Sequence, residues 1–218
     1  KANANTTRKK ARNPRAPRKF VPALVTGVMA AILITALTGM SALKALTTGE
    51  DYEAVLASNA RTDEERARDP WRHPAETLQF FGLEGDMTVA EIWPGGNPWY
   101  MKVIAPIIKE GGGAYYAVTP WDPESENPRV HAAIKKFDET FVGAPDAPAP
   151  WGTVHRTLMR GSKTDIAPDA SLDMILTFRN VHNWMTGTPD TDNSQAYMNA
   201  FYKALKPGGI LGVVEHRA

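Results

Sequence analysis

Apolar and polar positions divide this chain into two unlike parts. From Phe20 to Leu43 the run FVPALVTGVMAAILITALTGMSAL holds 24 residues without a charge. Farther on, short apolar runs alternate with stretches of helical period, punctuated by Gly and Pro. MTVAEIW (87–93) predicts a strand, and AYYAVT (114–119), GTVHRTLMRG (152–161), LDMILTF (172–178) and ILGVVEH (210–216) predict four more. Between them HPAETLQFFGL (73–83) predicts a helix ending at Gly82. PWYMKVIAPIIKE (98–110) predicts a helix with Pro98 in its first turn, where a missing N–H costs nothing. PRVHAAIKKFDETF (128–141) and SQAYMNAFYKAL (194–205) predict two further helices, the last stopped by KPGG, and GAPDAPAP predicts a rigid loop. Near-continuous apolar strands alternating with helices predict an α/β fold with a mostly parallel sheet covered on both faces. Ligands of such sheets bind beyond the carboxyl ends of the strands. Glu91, Asp122, Asp165, Arg179 to Trp184 and Glu215 to Arg217 are expected at that edge.

At about 1.5 Å per residue the uncharged run suffices to cross a hydrocarbon core of about 30 Å. A buried core helix and a cleaved signal segment are the alternatives. The length of the run, its lack of a polar face and the absence of a clean A-x-A site favour one transmembrane helix over residues 20–43. The flanks orient it. Residues 1–19 form a basic arm with eight Lys/Arg and no acid, whereas the twenty residues after the span hold only Lys44 and Arg61. The positive-inside tendency then predicts an inner-membrane protein with a cytoplasmic N-terminus and a periplasmic globular part. The arm suits anionic lipid head groups rather than nucleic acid, because the rest of the chain has 17 basic against 24 acidic residues. Ala23, Gly27, Ala31, Thr35 and Gly39 recur every four residues, a ridge suited to docking on the transmembrane helices of a membrane protein complex. Residues 44–69 read as a charged helical linker, and 70–218 as the globular domain. Cysteine is absent, which excludes disulfides and thiolate chemistry.

Three stretches now stand out by their order: VAEIWPGG after the first strand, TDIAPDASLDMILTFRNVHNW through the fourth, and LKPGGILGVVEHRA into the fifth. Together they resemble the class I S-adenosylmethionine-dependent methyltransferases. More narrowly the chain looks like a group of bacterial predicted methyltransferases with EIWPGG and RNVHNW signatures. The resemblance implies a Rossmann-like domain, truncated after the fifth strand where the family's sheet has seven. It implies S-adenosylmethionine as cofactor, held by Glu91, Trp93, Gly95 and Gly96 in the turn, Asp122 at the ribose, Asp165 at the adenine amino group, and Arg179. On the acceptor side it points to Asn180 and His182. In physical terms, a Gly-rich turn admits the methionyl group, the following helix N-terminus faces its carboxylate, and acids accept from ribose and adenine.

Departures from the pattern matter as much. Against a D/E-x-G-x-G-x-G turn, Trp93 replaces the first glycine and Asn97 the third, and Pro98 holds Asn97 away from helical angles. Asp122 lies past Thr119, the usual ribose position, and a surface-turn role is equally open to it. His182 is either a general base or a cap on the sheet edge, and Trp184 either stacks on an acceptor or packs beneath the loop. No metal-ligand spacing links His73, His131 and His155. Two functions follow. One is an accessory or scaffold subunit of a membrane protein complex, built from a methyltransferase-like domain on a helix anchor. The other is an active methyltransferase on a small-molecule or membrane-proximal acceptor.

Overall fold

The structure is a computed structural model that describes residues 49–143, 151–185 and 192–216. The basic arm, the apolar span, its ridge of small residues and Arg217 lie outside the described residues. Among the described residues no helix is long and apolar enough to cross a membrane.

Five strands form one sheet: β1 (Thr88–Ile92), β2 (Ala114–Thr119), β3 (Val154–Leu158), β4 (Leu172–Phe178) and β5 (Leu205–Val214), in the order β3-β2-β1-β4-β5. Every pairing is parallel. This is the parallel sheet expected from the apolar runs, and it fits the Rossmann-like arrangement that the resemblance implies. Alternation along β1 divides the core in two. Val89 packs with Tyr115, Met174 and Leu176 on one face, and Ala90 and Ile92 pack with Val118, Ile175 and Phe201 on the other. Because the order reverses between β1 and β4, their carboxyl ends open a crevice.

Helices cover both faces. Before the sheet come α1 (Gly49–Leu56), α2 (Asp63–Arg66), α3 (Asp69–Arg72) and α4 (Pro74–Phe81). Later come α5 (Met101–Gly111), α6 (Pro128–Phe137) with a π turn to Val142, α7 (Val181–Trp184) and α8 (Ser194–Ala204). α4 ends as expected on Gly82, at φ 75°. α5 does not begin at Pro98: its first residue is Met101. Trp99 and Tyr100 are drawn into the core instead, and Tyr100 lies parallel to Phe178 with centroids 3.5 Å apart. Burying two large aromatics outweighs starting the helix one turn earlier. β5 begins at Leu205 rather than at Ile210, because KPGG forms an irregularity within the strand, where Leu172 and Met174 oppose Leu205 and Ile210.

The stretch expected as a charged linker is folded against the domain from Gly49 onward. Tyr52 is buried and its hydroxyl donates to the Leu83 carbonyl at 3.4 Å. Arg61 is fully buried and pairs with Asp69 at 2.5 Å. Glu65 closes a capping box with Thr62 and pairs with Lys102 on α5. Charges that a sequence pattern counts as solvated are here neutralised in pairs.

Candidate functional site

The turn after β1 solves its missing glycine by conformation. Trp93 adopts φ 50°, a left-handed angle uncommon outside glycine. Its N–H donates to Val118 O at 2.7 Å, and its indole Nε1 donates to Met159 O at 2.8 Å. The ring stands edge-on to Trp184 and Tyr197 at 6.2 and 6.3 Å. Trp93 thus joins the turn to the loop after β3 instead of blocking it. Gly95 sits at φ 82°, and a Cβ at Gly95 or Gly96 would meet nothing within 4 Å. Position 95 therefore favours glycine for its angle, and the space above the turn is open. Asn97 turns away toward the amino-terminal helices, its Nδ2 donating to Glu65 at 3.3 Å.

Glu91 is buried at the end of β1 and accepts a hydrogen bond from the Tyr115 hydroxyl at 2.5 Å. Burial pushes its pKa up to about 7, against the opposing pull of the Tyr115 hydrogen bond and the Arg72 charge. Burial also drives the Tyr115 hydroxyl well above its ordinary value, and Glu91 adds to the effect.

Over this edge lies a cavity of about 320 Å³. It is lined by Glu91, Trp93 and Asn97, by Arg68, Arg72 and Arg179, by the stacked pair Tyr100 and Phe178, and by His182 and His216. A second hollow of about 470 Å³ shares the three arginines with it and adds Trp71 and Val214. Of the residues assigned from sequence, Glu91, Trp93, Arg179 and His182 are brought together here. Arg179 adopts φ 62°, and its Nε donates to His216 Nε2 at 3.0 Å.

At the rim His182 Nδ1 lies 3.0 Å from Glu215 Oε1. Burial disfavours the Glu215 carboxylate, but hydrogen bonds from the His216 N–H, from His182 and from the Val181 N–H hold its pKa below the ordinary range. His182, Glu215 and His216 offer ligand atoms within 4.8 Å of one another, a spacing a metal ion accepts. A cation there would face the Arg179 guanidinium and take the lone pair to which Arg179 donates. Without one, His182 is hydrogen-bonded to Glu215 and the His216 ring accepts from Arg179.

The remaining assigned residues lie elsewhere. Asn180 donates to Ile92 O at 2.8 Å, which ties β4 to β1 across the crevice and leaves its amide engaged in the fold. Trp184 packs beneath the loop, almost wholly buried. Asp122 is bound to Lys163 at 2.8 Å, which more than its own turn hydrogen bond lowers its pKa. Asp165 is exposed, and its backbone carbonyl accepts from Leu158 N. Neither Asp122 nor Asp165 lines the cavity. Tested against S-adenosylmethionine, the residues fit at the methionyl end, where the turn is open, and do not fit at the nucleoside end. Arg68 was missed at the end of the expected linker and Arg72 at the start of the expected domain, ahead of its first predicted helix. Their spacing of four, which sets them on adjacent turns, was the available signal.

No model of a known protein family matches the chain, and no curated protein matches it. Solved structures do. The YcgJ protein from Bacillus subtilis matches at 13% identity and a TM-score of 0.46, over 68% of this chain and 52% of that one. The [4+2]-cyclase SpnF matches at 17% identity and 0.45, over 86% and 56%. The precorrin-6y C5,15-methyltransferase from Geobacter metallireducens matches at 18% identity and 0.35, over 71% and 64%. The chain thus spans between about half and two thirds of these proteins' lengths. Likenesses of this degree assign no residue and no activity to this chain.

Proposed function

We propose that this domain acts on a small molecule in the sheet-edge cavity, and that the reaction is methyl transfer from S-adenosylmethionine, a reading supported by the open turn after β1. The observation that carries this is the His182–Glu215 pair, 3.0 Å apart, at the rim of the cavity lined by Glu91 and the open turn. Transfer of a methyl group needs little beyond alignment of its partners. A histidine oriented by a carboxylate is placed to take the proton from an acceptor hydroxyl or amine. Kinship to the bacterial methyltransferases with EIWPGG and RNVHNW signatures belongs to this proposal.

A second reading has its own support: Asp122 is committed to Lys163, and Asp165 stands outside the cavity. Under it the fold serves as an accessory subunit of a membrane complex. The arm of Lys1 to Lys19 would meet anionic lipid, residues 20–43 would dock on partner helices, and the domain would be periplasmic. Calorimetric titration with S-adenosylmethionine separates the two. Micromolar or tighter binding that Gly95→Arg abolishes is the expected result for the enzyme; no binding heat across that range overturns it and leaves the accessory role.

A further inference from the structure

We infer that the cavity is an oxyanion site, in which Arg68, Arg72 and Arg179 receive the phosphate or carboxylate of an otherwise apolar small molecule. This goes beyond methyl transfer and does not depend on it, since the arginines would take the anion whether or not a cofactor binds.

Three guanidinium groups line one cavity, and among the described residues none of them pairs with a carboxylate. Arg61, Arg66 and Arg156 each do. Each of the three is held in place by something other than an anion. Arg72 lies over the Trp99 ring at 4.8 Å and over Tyr100 at 5.6 Å. Arg68 reaches the same indole at 5.9 Å. Arg179 is anchored through Nε to His216 and hangs from a residue with left-handed backbone angles. Strain of that kind persists where the surrounding structure imposes it, and it gathers at ligand sites.

The cluster is costly as it stands. Burial, and after it the charge of Arg68, lowers the pKa of Arg72, and Arg179 adds to the repulsion. The one carboxylate that lines the cavity, Glu91, is turned to Tyr115, and burial favours its neutral form. It cannot offset three cations. An oxyanion can, because a planar guanidinium offers paired donors that match the oxygens of phosphate and carboxylate. Beside the arginines the second hollow shares Tyr100 and Phe178 with the first and adds Trp71 and Val214. Trp71 is 86% exposed, an aromatic surface next to a charged one. An anionic head with an apolar or aromatic body fits both.

The test uses the full chain at low ionic strength without S-adenosylmethionine, titrated with phenyl phosphate in one arm and phenylacetate in the other. At least one probe should bind and raise the melting temperature, and the stronger arm identifies the head group. Arg72→Gln should weaken that binding about tenfold or more, as expected for loss of a charge-assisted pair. Arg72→Lys should fall between, keeping the charge but not the fork. Arg179→Gln, at an exposed position, repeats the test if Arg72→Gln does not fold. Absence of binding by both probes would overturn the inference. So would binding that is unchanged in both glutamine variants, which would place the anion elsewhere. Failure of S-adenosylmethionine to bind would bear on the proposed reaction alone.

Discussion

Arg61 and Arg72 both lie over the indole of Trp99, at 5.1 and 4.8 Å, and they are opposites. Arg61 has no exposed side-chain surface and is closed off by Asp69, at 2.5 and 2.8 Å from its two terminal nitrogens. Arg72 faces a cavity with two more arginines and no carboxylate partner. The first arginine is part of the core, because a buried cation persists only when paired. The second is held by aromatic contact and left with its charge uncompensated. Two residues of one type on one ring therefore separate what stabilises the fold from what the fold holds ready for a ligand.

Removing the partner of Arg61 should have the largest effect. Asp69→Ala leaves a buried, unpaired guanidinium and should cost about 3 kcal/mol, the lower part of the range for breaking a buried pair, since Asp69 keeps 21% of its side-chain surface. Denaturant unfolding reads the loss directly. The double variant Arg61→Met, Asp69→Ala should regain part of it. A single variant as stable as the parent would mean that Arg61 is no more fixed by its pair than Arg72 is, and the contrast would dissolve.

Glu91 probes the other side. Its folded pKa of about 7 stands above the ordinary 4.5, so the folded protein retains a proton that the unfolded chain releases. The contribution of Glu91 to stability should therefore fall as pH rises from about 4.5 to about 7 and level off beyond, a decline of about 3 kcal/mol in all. Glu91→Gln keeps an acceptor for Tyr115 and has no proton to lose. It should flatten that decline and leave the protein more stable than the parent at pH 8, as measured by unfolding at a series of pH values. A pH profile that Glu91→Gln leaves unchanged would show that Glu91 holds no proton through this window, and that side of the contrast would fall.

The part of this arrangement that the sequence shows is the part governed by local periodicity. β2 and β4 fall on the residues that apolar runs predict, AYYAVT and LDMILTF, because strands buried on both faces leave a continuous apolar signal. The edge at which Glu91, Trp93, Arg179 and His182 meet follows from that order. What escapes is set by contacts between distant residues. Pro98 promised a helix start, but Trp99 and Tyr100 gained more by entering the core. Arg68 read as a linker charge and Arg72 as a residue ahead of the first predicted helix, since nothing in ARDPWRHP says that α3 places both on one cavity. Asp122 carries the right residue type for a ribose contact, and only the position of Lys163, 41 residues on, shows that it is already engaged.

That last pair gives the smallest effect and sharpens the contrast most cheaply. Lys163 is paired like Arg61, with Asp122 at 2.8 Å and Glu124 at 2.6 Å, but its side chain keeps 40% of its surface where that of Arg61 keeps none. If pairing alone made a charge structural, Lys163→Ala would destabilise as Asp69→Ala does. If burial is what makes pairing matter, the melting temperature should stay where it was, because exposed ion pairs gain little over hydration. The variant does change one thing. Asp122 loses the partner that chiefly holds its pKa down, and its carboxylate becomes free to accept hydrogen bonds from a ribose. Titration of Lys163→Ala with S-adenosylmethionine should then show tighter binding than the parent if the ion pair is what closes the nucleoside end. Equal binding, with an unchanged melting temperature, would show that the ion pair is not what closes the nucleoside end.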